Sequence, residues 1–178
     1  MTKLKDKDIN RILKERAKEL SEVTADQEVA EESIEAVEFV LAYEKYAIES
    51  AYIDEVYPMK DFTTVPGTPP FVLGIINLRG KILSVIDIRK FFDLPVKGLS
   101  NLNRVLVVKT PEMELGIISD FILGVRVIPK KNIHPPLPTL TGIRSKYLHG
   151  VTDEGLVLLD VMKILTDPEI IVHDDIDA

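Results

Sequence analysis

The chain has 178 residues, of which 46% are hydrophobic and 29% charged; it contains no Cys, and 22 basic against 29 acidic residues give a net charge of −7. This length and apolar fraction exclude bulk disorder and a fibrous repeat, and the absence of Cys excludes disulfides, thiolate metal sites and a Cys nucleophile. The acidic balance disfavours nucleic acid as a partner, and no apolar run approaches the roughly 20 residues that span a bilayer, so we expect a cytoplasmic protein with no direct membrane insertion.

The first 36 residues are predicted to form an N-terminal extension. Helical spacing places five apolar residues on one stripe, namely Ile9, Ile12, Leu13, Ala17 and Leu20. Because so few apolar side chains do not hold an isolated helix in water, two interpretations stay open: a frayed surface helix, or a helix that docks on a partner or on the body of this protein. Residues 21–36 carry six acidic groups and no basic one, which indicates an acidic linker.

Residues 37–96 are predicted to form the first half of a β domain. Apolar patterning predicts a hairpin at 37–48, a short helix at 50–56, and strands at 75–78 and 81–86. Arg79 and Gly80 form the turn between those two strands, where Gly supplies a backbone conformation that other residues would strain to adopt. Asp87 then stands where a helix N-cap belongs, ahead of a short helix at 88–92.

Residues 97–166 repeat this organisation, and 167–178 form an acidic tail. Apolar runs predict strands at 105–108, 115–118, 125–128, 147–151 and 156–159, the last two as a hairpin. Asp160 is predicted to cap a final helix at 161–165. Because short strands alternate with turns and no helix between them is long enough for a parallel crossover, the pattern favours a mainly β fold of two small barrels, at about 37–96 and 97–166, each closed by a short helix.

We expect no catalytic residues, no cofactor site and no metal site. The sequence lacks phosphate-binding glycine loops, the zinc-protease helix motif and the nucleophile elbow. The three histidines, His134, His149 and His173, have no metal-ligand spacing. Asp87 and Asp160 resemble a catalytic carboxylate pair, but a helix N-cap needs only local geometry and is the favoured interpretation for both.

Arg79 is the polar residue most typical of a recognition site. It lies at a turn between two apolar strands, so we expect its side chain to be presented rather than packed. A planar guanidinium at such a turn can pair bidentately with a carboxylate or with the backbone of a partner. The alternative is a solvated turn residue or an intramolecular salt bridge to Glu55 or Asp87.

The segment 70–89 strongly resembles the signature of the CheW family, the coupling proteins of bacterial and archaeal chemotaxis. The core of the match is Gly74-Ile75-Ile76-Asn77-Leu78-Arg79-Gly80, followed by Ile86-Asp87-Ile88-Arg89. Further matches lie at 39–48, 53–56, 115–120 and 147–160, so the resemblance covers about 37–166; in it, 53–56 corresponds to a short helix. Two departures stand out: Ser84 replaces a frequent proline, and Phe121-Ile122-Leu123-Gly124 replaces smaller residues after Asp120.

The resemblance implies two SH3-like five-stranded β-barrels and a non-enzymatic adaptor. Such proteins link the cytoplasmic tips of methyl-accepting chemotaxis receptors to the regulatory domain of the histidine kinase CheA. The candidate receptor- or kinase-binding residues are Ile53, Glu55, Val56, Asn77, Arg79 and Gly80. The same module in another signalling route, such as gliding, pilus or gene-regulatory signalling, is the alternative, and it shares all of these residue arguments.

A receptor tip is a helical hairpin, so its recognition needs an apolar groove with a few polar groups to fix the orientation. Two barrels side by side make such a groove without a cofactor. The apolar residues available for it include Val56, Ile75, Val125 and Val127. For each of these four, burial in the core is the favoured interpretation.

Overall fold

The computed structural model describes residues 32–96, 98–136 and 143–170. The predicted N-terminal helix and the acidic linker up to residue 31 lie outside the described residues, as do 137–142 and the end of the tail from residue 171. In the described part of the chain, no helix is long and apolar enough to cross a bilayer.

Strands dominate the described residues. In chain order they are β1 (Ser33–Leu41), β2 (Glu44–Glu49), β3 (Ile53–Pro58), β4 (Val72–Leu78), β5 (Lys81–Ile86), β6 (Arg104–Lys109), β7 (Glu114–Ser119), β8 (Phe121–Pro129), β9 (Ile133–His134), β10 (Leu148–Thr152) and β11 (Val157–Leu159). Three short helices accompany them: α1 (Ile88–Phe91), α2 (Ile143–Lys146) and α3 (Val161–Leu165). The predicted hairpins, the β4–β5 pair and both capped helices are confirmed.

The strands form two sheets, which confirms the mainly β fold with two subdomains. Sheet A has the order β8-β1-β2-β11-β10-β9, and sheet B has the order β3-β6-β7-β5-β4. Sheet B has the expected five strands, whereas sheet A has a sixth, the two-residue β9. Most neighbours are antiparallel, but β2 pairs with β11 and β5 pairs with β7 in parallel.

The prediction that each barrel is one contiguous stretch of the chain, at about 37–96 and 97–166, is wrong. Sheet A takes β1 and β2 from the start of the described chain and β8 to β11 from its end, and all of sheet B lies between them in sequence. The physical reason is the parallel β2–β11 pair, which requires a long crossover connection. Here that connection contains the whole of sheet B followed by β8 to β10, rather than a single helix.

The predicted helix at 50–56 is also wrong. A single 3₁₀ turn occupies Ser50–Tyr52, and the chain then continues as β3, which pairs antiparallel with β6. Half-buried and exposed residues alternate along β3, which is the period of a strand. Pairing with the buried β6 therefore overrides the weak helical pattern of this segment.

The main hydrophobic core lies between the sheets. Its largest cluster contains Phe39 and Tyr46 of sheet A, Leu106 and Ile117 of sheet B, and residues of α1 and α3. Smaller clusters lie within sheet B and within sheet A. Because one cluster is shared, the two sheets are joined by apolar packing over a common face.

Both predicted N-caps are confirmed. The Asp87 carboxylate accepts a hydrogen bond from the Arg89 backbone N–H at 3.1 Å, and the Asp160 carboxylate accepts one from the Lys163 N–H at 3.1 Å. Each cap satisfies a donor that the first turn of its helix leaves unpaired. The caps thus start α1 at the end of β5 and α3 at the end of β11.

A second carboxylate, Asp167, is buried beneath α2. It accepts hydrogen bonds from the Tyr147 hydroxyl at 2.7 Å and from the Glu169 N–H at 2.8 Å, and it pairs with the Lys146 ammonium. The Lys146 contact, chiefly, lowers the pKa of Asp167 below its ordinary value. Burial, with the bond to Asp167, raises the pKa of Tyr147 to about 12.

We expect acid to destabilise the protein through Asp167. A carboxyl whose pKa is lower in the folded state binds more protons when the chain is unfolded. Its contribution to the free energy of unfolding is therefore complete above about pH 4 and is lost as the pH falls through the folded-state pKa. The urea midpoint of Asp167→Asn should be below that of the native chain at pH 7 and should fall less steeply on acidification. Parallel pH profiles for the two proteins would contradict this assignment.

Candidate interaction surfaces

The turn between β4 and β5 displays Arg79. Both central residues have positive φ, 54° for Arg79 and 88° for Gly80, and Leu78 lies opposite Lys81 in the register. Two consecutive residues with positive φ form the tight hairpin turn whose twist matches that of the strands. The Asn77 side-chain oxygen accepts a hydrogen bond from the Gly80 N–H at 2.8 Å, which fixes this conformation.

Arg79 forms an ion pair with Glu55 of β3, with Nη2 2.8 Å from Oε2. The Arg79 side chain is 81% exposed and that of Glu55 is 22% exposed. Of the alternatives for Arg79, the intramolecular pair with Glu55 is therefore present, while the Arg79 side chain as a whole stays largely exposed. Asp87, the other suggested partner, is instead occupied by Arg89.

The pair joins the two edge strands of sheet B. Glu55 lies on β3 at one edge of the sheet order, and Arg79 follows β4 at the other. The structure therefore brings together four of the six candidate binding residues: Glu55, Asn77, Arg79 and Gly80. It does not bring in Val56, which is exposed on the opposite side of β3 from Glu55, or Ile53, which packs against the core between the sheets.

Strand β8, an edge strand of sheet A, exposes an apolar face. Val125 is 64% exposed and Val127 is 62% exposed, and Phe121 and Leu123 of the same strand are exposed as well. We call Val125 and Val127 the β8 face. The expected burial of Val125, Val127 and Val56 is therefore wrong, and Ile75 is only half-buried.

One residue of the β8 face, Val125, lies next to the core between the sheets. Val125 lies opposite Val37 of β1, and the Val37 side chain belongs to that core. Tyr52 and Ile53, at the start of β3, pack against the same cluster as partly buried residues. Several exposed apolar side chains on one edge strand are typical of a protein docking site.

The burial of Arg89 and its ion pairs were not predicted from the sequence. It is 1% exposed, and its guanidinium donates to Asp87 through Nε at 2.8 Å and through Nη2 at 2.9 Å. Nη1 donates to Asp120, 31 residues further along the chain. The hydrogen bond with Asp87 raises the pKa of Arg89 above its ordinary value. The only sequence signal was the Asp-Ile-Arg run, since spacing does not predict a contact with Asp120.

Candidate metal ligands do not assemble in the described part of the chain, where no group of three or more His, Asp or Glu side chains could hold an ion. His134 instead pairs with Asp153 at 2.7 Å on the surface. Two other surface features, the charged Arg79–Glu55 pair on a tight turn and the apolar strip on β8, are of the kinds found in contacts between proteins.

Comparison with known proteins gives a consistent result. The CheW-like domain family model matches residues 35–169. The chemotaxis protein CheW of Treponema pallidum is 31% identical over 149 residues, which cover 80% of this chain and 88% of that protein. The protein FrzA of Myxococcus xanthus is 29% identical, over 68% of this chain and 78% of that protein.

A solved structure agrees with these sequence matches. The crystal structure of the scaffolding protein TtCheW from Thermoanaerobacter tengcongensis superposes with a TM-score of 0.66 at 34% identity. The match covers 72% of this chain and 89% of that one. Both the sequence and the two-sheet fold are therefore shared.

Proposed function

Since this chain belongs to the CheW family and is a non-enzymatic chemotaxis scaffold, we propose that it couples the cytoplasmic tips of methyl-accepting receptors to the regulatory domain of the histidine kinase CheA. The observation that carries the proposal is the exposed Arg79–Glu55 pair within the family signature. The coupler acts in the cytoplasm, recruited to receptor arrays, and uses no cofactor of its own.

The Arg79–Glu55 pair fixes the orientation of a bound partner and adds specificity to its binding. An exposed salt bridge of this kind contributes little to stability, typically 0 to about 1 kcal/mol, so its worth to the fold does not explain why Arg is placed at a tight turn. The guanidinium of this largely exposed side chain can also donate hydrogen bonds to a second carboxylate or to a backbone carbonyl of a partner. Asn77 and Gly80 serve this contact by fixing the turn that presents Arg79.

The β8 face supplies apolar contact for the receptor. A helical hairpin buries an apolar stripe in a groove on its partner. Val125 lies opposite the core residue Val37, and together with Val127 it offers an exposed apolar strip for such a contact. Ile53 of β3, which packs against the same core, is the residue of sheet B that would complete this site, whereas Val56 lies on the other side of the strand. The residues that bind the receptor are therefore drawn from both sheets.

Charge reversal at Arg79 tests the proposal. In titration calorimetry against the regulatory domain of the kinase, the native protein should bind with micromolar affinity, about −8 kcal/mol, and Arg79→Glu should bind at least about tenfold more weakly because like charges then face each other at Glu55 and at the partner. The free energy of unfolding should change by less than about 1 kcal/mol, because Arg79 is exposed.

Lys81→Glu is the matched control, because Lys81 is an exposed cation on the adjacent strand that also pairs with a glutamate, Glu114. It should bind nearly as the native chain does. Equal loss in both variants would mean that only net charge matters. The double variant Glu55→Arg with Arg79→Glu restores the internal pair; recovery of full affinity would assign the pair a role inside the fold rather than a contact with the kinase.

The alternative is that the same scaffold serves a signalling route other than flagellar chemotaxis. The match to FrzA shows that proteins with other names share this fold and sequence. The choice depends on the kinase: saturable binding to the regulatory domain of a kinase from another route, with none to a chemotaxis kinase shown to bind another coupler, would favour the alternative.

A further inference from the structure

The buried cluster of Arg89, Asp87 and Asp120 connects three parts of the fold. Asp87 ends β5 of sheet B, and Asp120 lies at the junction where β7 of sheet B continues into β8 of sheet A. Arg89 donates to both carboxylates. The second oxygen of Asp120, Oδ2, accepts a hydrogen bond from the Ala42 N–H at 2.8 Å, in the turn between β1 and β2 of sheet A.

That turn has an unfavourable backbone. Ala42 has φ of 59° and Tyr43 has φ of 133°, values that residues other than Gly rarely adopt. The turn is closed by a hydrogen bond from the Tyr43 N–H to the Leu41 oxygen at 2.9 Å. Such strained conformations persist only where the surroundings hold them. Here Asp120 holds the turn twice, through its carboxylate to Ala42 and through its own N–H to the Val40 oxygen at 2.9 Å.

We propose that Arg89 and Asp120 are positioning residues that latch sheet A to sheet B, with Arg89 held by Asp87 on one side and the strained β1–β2 turn held by Asp120 on the other. We call this set of contacts the Asp120 latch. The apolar core also joins the sheets, but apolar contacts have little directional preference, whereas bidentate and charge-assisted hydrogen bonds fix orientation. The latch therefore sets the angle between the sheets.

The latch concerns the chain itself and does not depend on the identity of any partner. It has a consequence for coupling, which rests on the proposed function. Arg79 and Glu55 lie on sheet B and the β8 face lies on sheet A. A partner that contacts both surfaces requires one fixed arrangement of the sheets, and the latch lies at the point where the chain passes from one sheet to the other.

Pulsed electron spin resonance distances test the latch directly. The chain has no native Cys, so spin labels attach only at introduced ones. Ser84→Cys on β5 with His149→Cys on β10 measures between the sheets, and Ser84→Cys with Asp54→Cys on β3 measures within sheet B; all three sites are exposed. In Asp120→Asn, we expect the distribution between the sheets to broaden or shift while the distribution within sheet B stays unchanged.

The control is a variant that is less stable than the native protein but keeps every contact of the Asp120 latch. Ile118→Val removes one methylene from the core of sheet B and should lower the melting temperature while leaving both distance distributions unchanged. If Asp120→Asn also lowers only the melting temperature, the latch is overturned and the cluster is a stabilising contact alone. If Asp120→Asn does not fold at 25 °C, the distances are measured in Arg89→Lys instead, which keeps the charge but loses the bidentate contact. The two possible results then support or overturn the latch in the same way.

A double-mutant cycle provides a second readout. Ala42→Gly removes the steric cost of a positive φ, so we expect it to raise the melting temperature of the native chain. In the Asp120→Ala background the Ala42 N–H loses its side-chain acceptor and the turn can relax, so the gain should be smaller. Equal gains in both backgrounds would show that Asp120 does not hold the turn and would overturn the latch, whatever the partners of the protein are.

Discussion

Replacing Arg89 with Met is expected to lower the free energy of unfolding by about 3–5 kcal/mol. Arg89 is among the largest fully buried side chains in the described chain. Its removal leaves Asp87 buried without its cation, and Asp120 loses the same partner. Urea unfolding followed by circular dichroism measures the loss. Arg79→Met, an exposed Arg with one carboxylate partner, is the matched control and should change the free energy by less than about 1 kcal/mol.

The triple variant Asp87→Asn, Arg89→Met and Asp120→Asn separates the cost of leaving carboxylates buried without a cation from the cost of lost packing. Because it removes all three charges, it should recover part of the stability that Arg89→Met loses; Asn still serves as a helix N-cap at position 87. A loss below about 1 kcal/mol in Arg89→Met would mean that the carboxylates find water or other donors. A triple variant no more stable than Arg89→Met would place the cost in packing rather than in unpaired charge.

Val125→Asp is expected to abolish most of the receptor affinity with little change in stability. If the β8 face is the centre of the receptor site, a carboxylate there must be buried without a partner on binding, which costs about 2 kcal/mol or more. We expect receptor-tip binding to weaken by about 30-fold or more. Because Val125 is 64% exposed in the free protein, the free energy of unfolding should hardly change.

Ile82→Asp is the control for this experiment. Ile82 is 61% exposed on β5, so the substitution has the same chemistry on the other sheet. Receptor affinity should stay within about threefold of the native value. If both variants lose affinity equally, the receptor contacts β5 as well, and the β8 face is not the centre of the site. If neither does, the β8 face is not the receptor site, while the Arg79 experiment still tests coupling to the kinase.

Sequence reasoning succeeded wherever structure depends on neighbours in the chain. The hairpin turn at Arg79 and Gly80, and the N-caps at Asp87 and Asp160, need only a few adjacent residues, and all are present. It failed at 50–56, where pairing with β6 decides the conformation. It also failed in treating each sheet as one contiguous stretch, because strand partners are chosen by packing and not by order along the chain.

The sequence by itself determined the class of this protein: strands, turns, caps, the family signature and Arg79 as a displayed cation. Only the tertiary structure decided which surfaces exist. It paired Arg79 with Glu55 rather than Asp87, exposed Val125 and Val127 at the edge of sheet A, and brought Asp120 to a buried Arg89. The reason is physical: hydrogen bonding within a turn or cap acts over a few residues, whereas burial and ion pairing depend on distances in space between segments far apart in the chain.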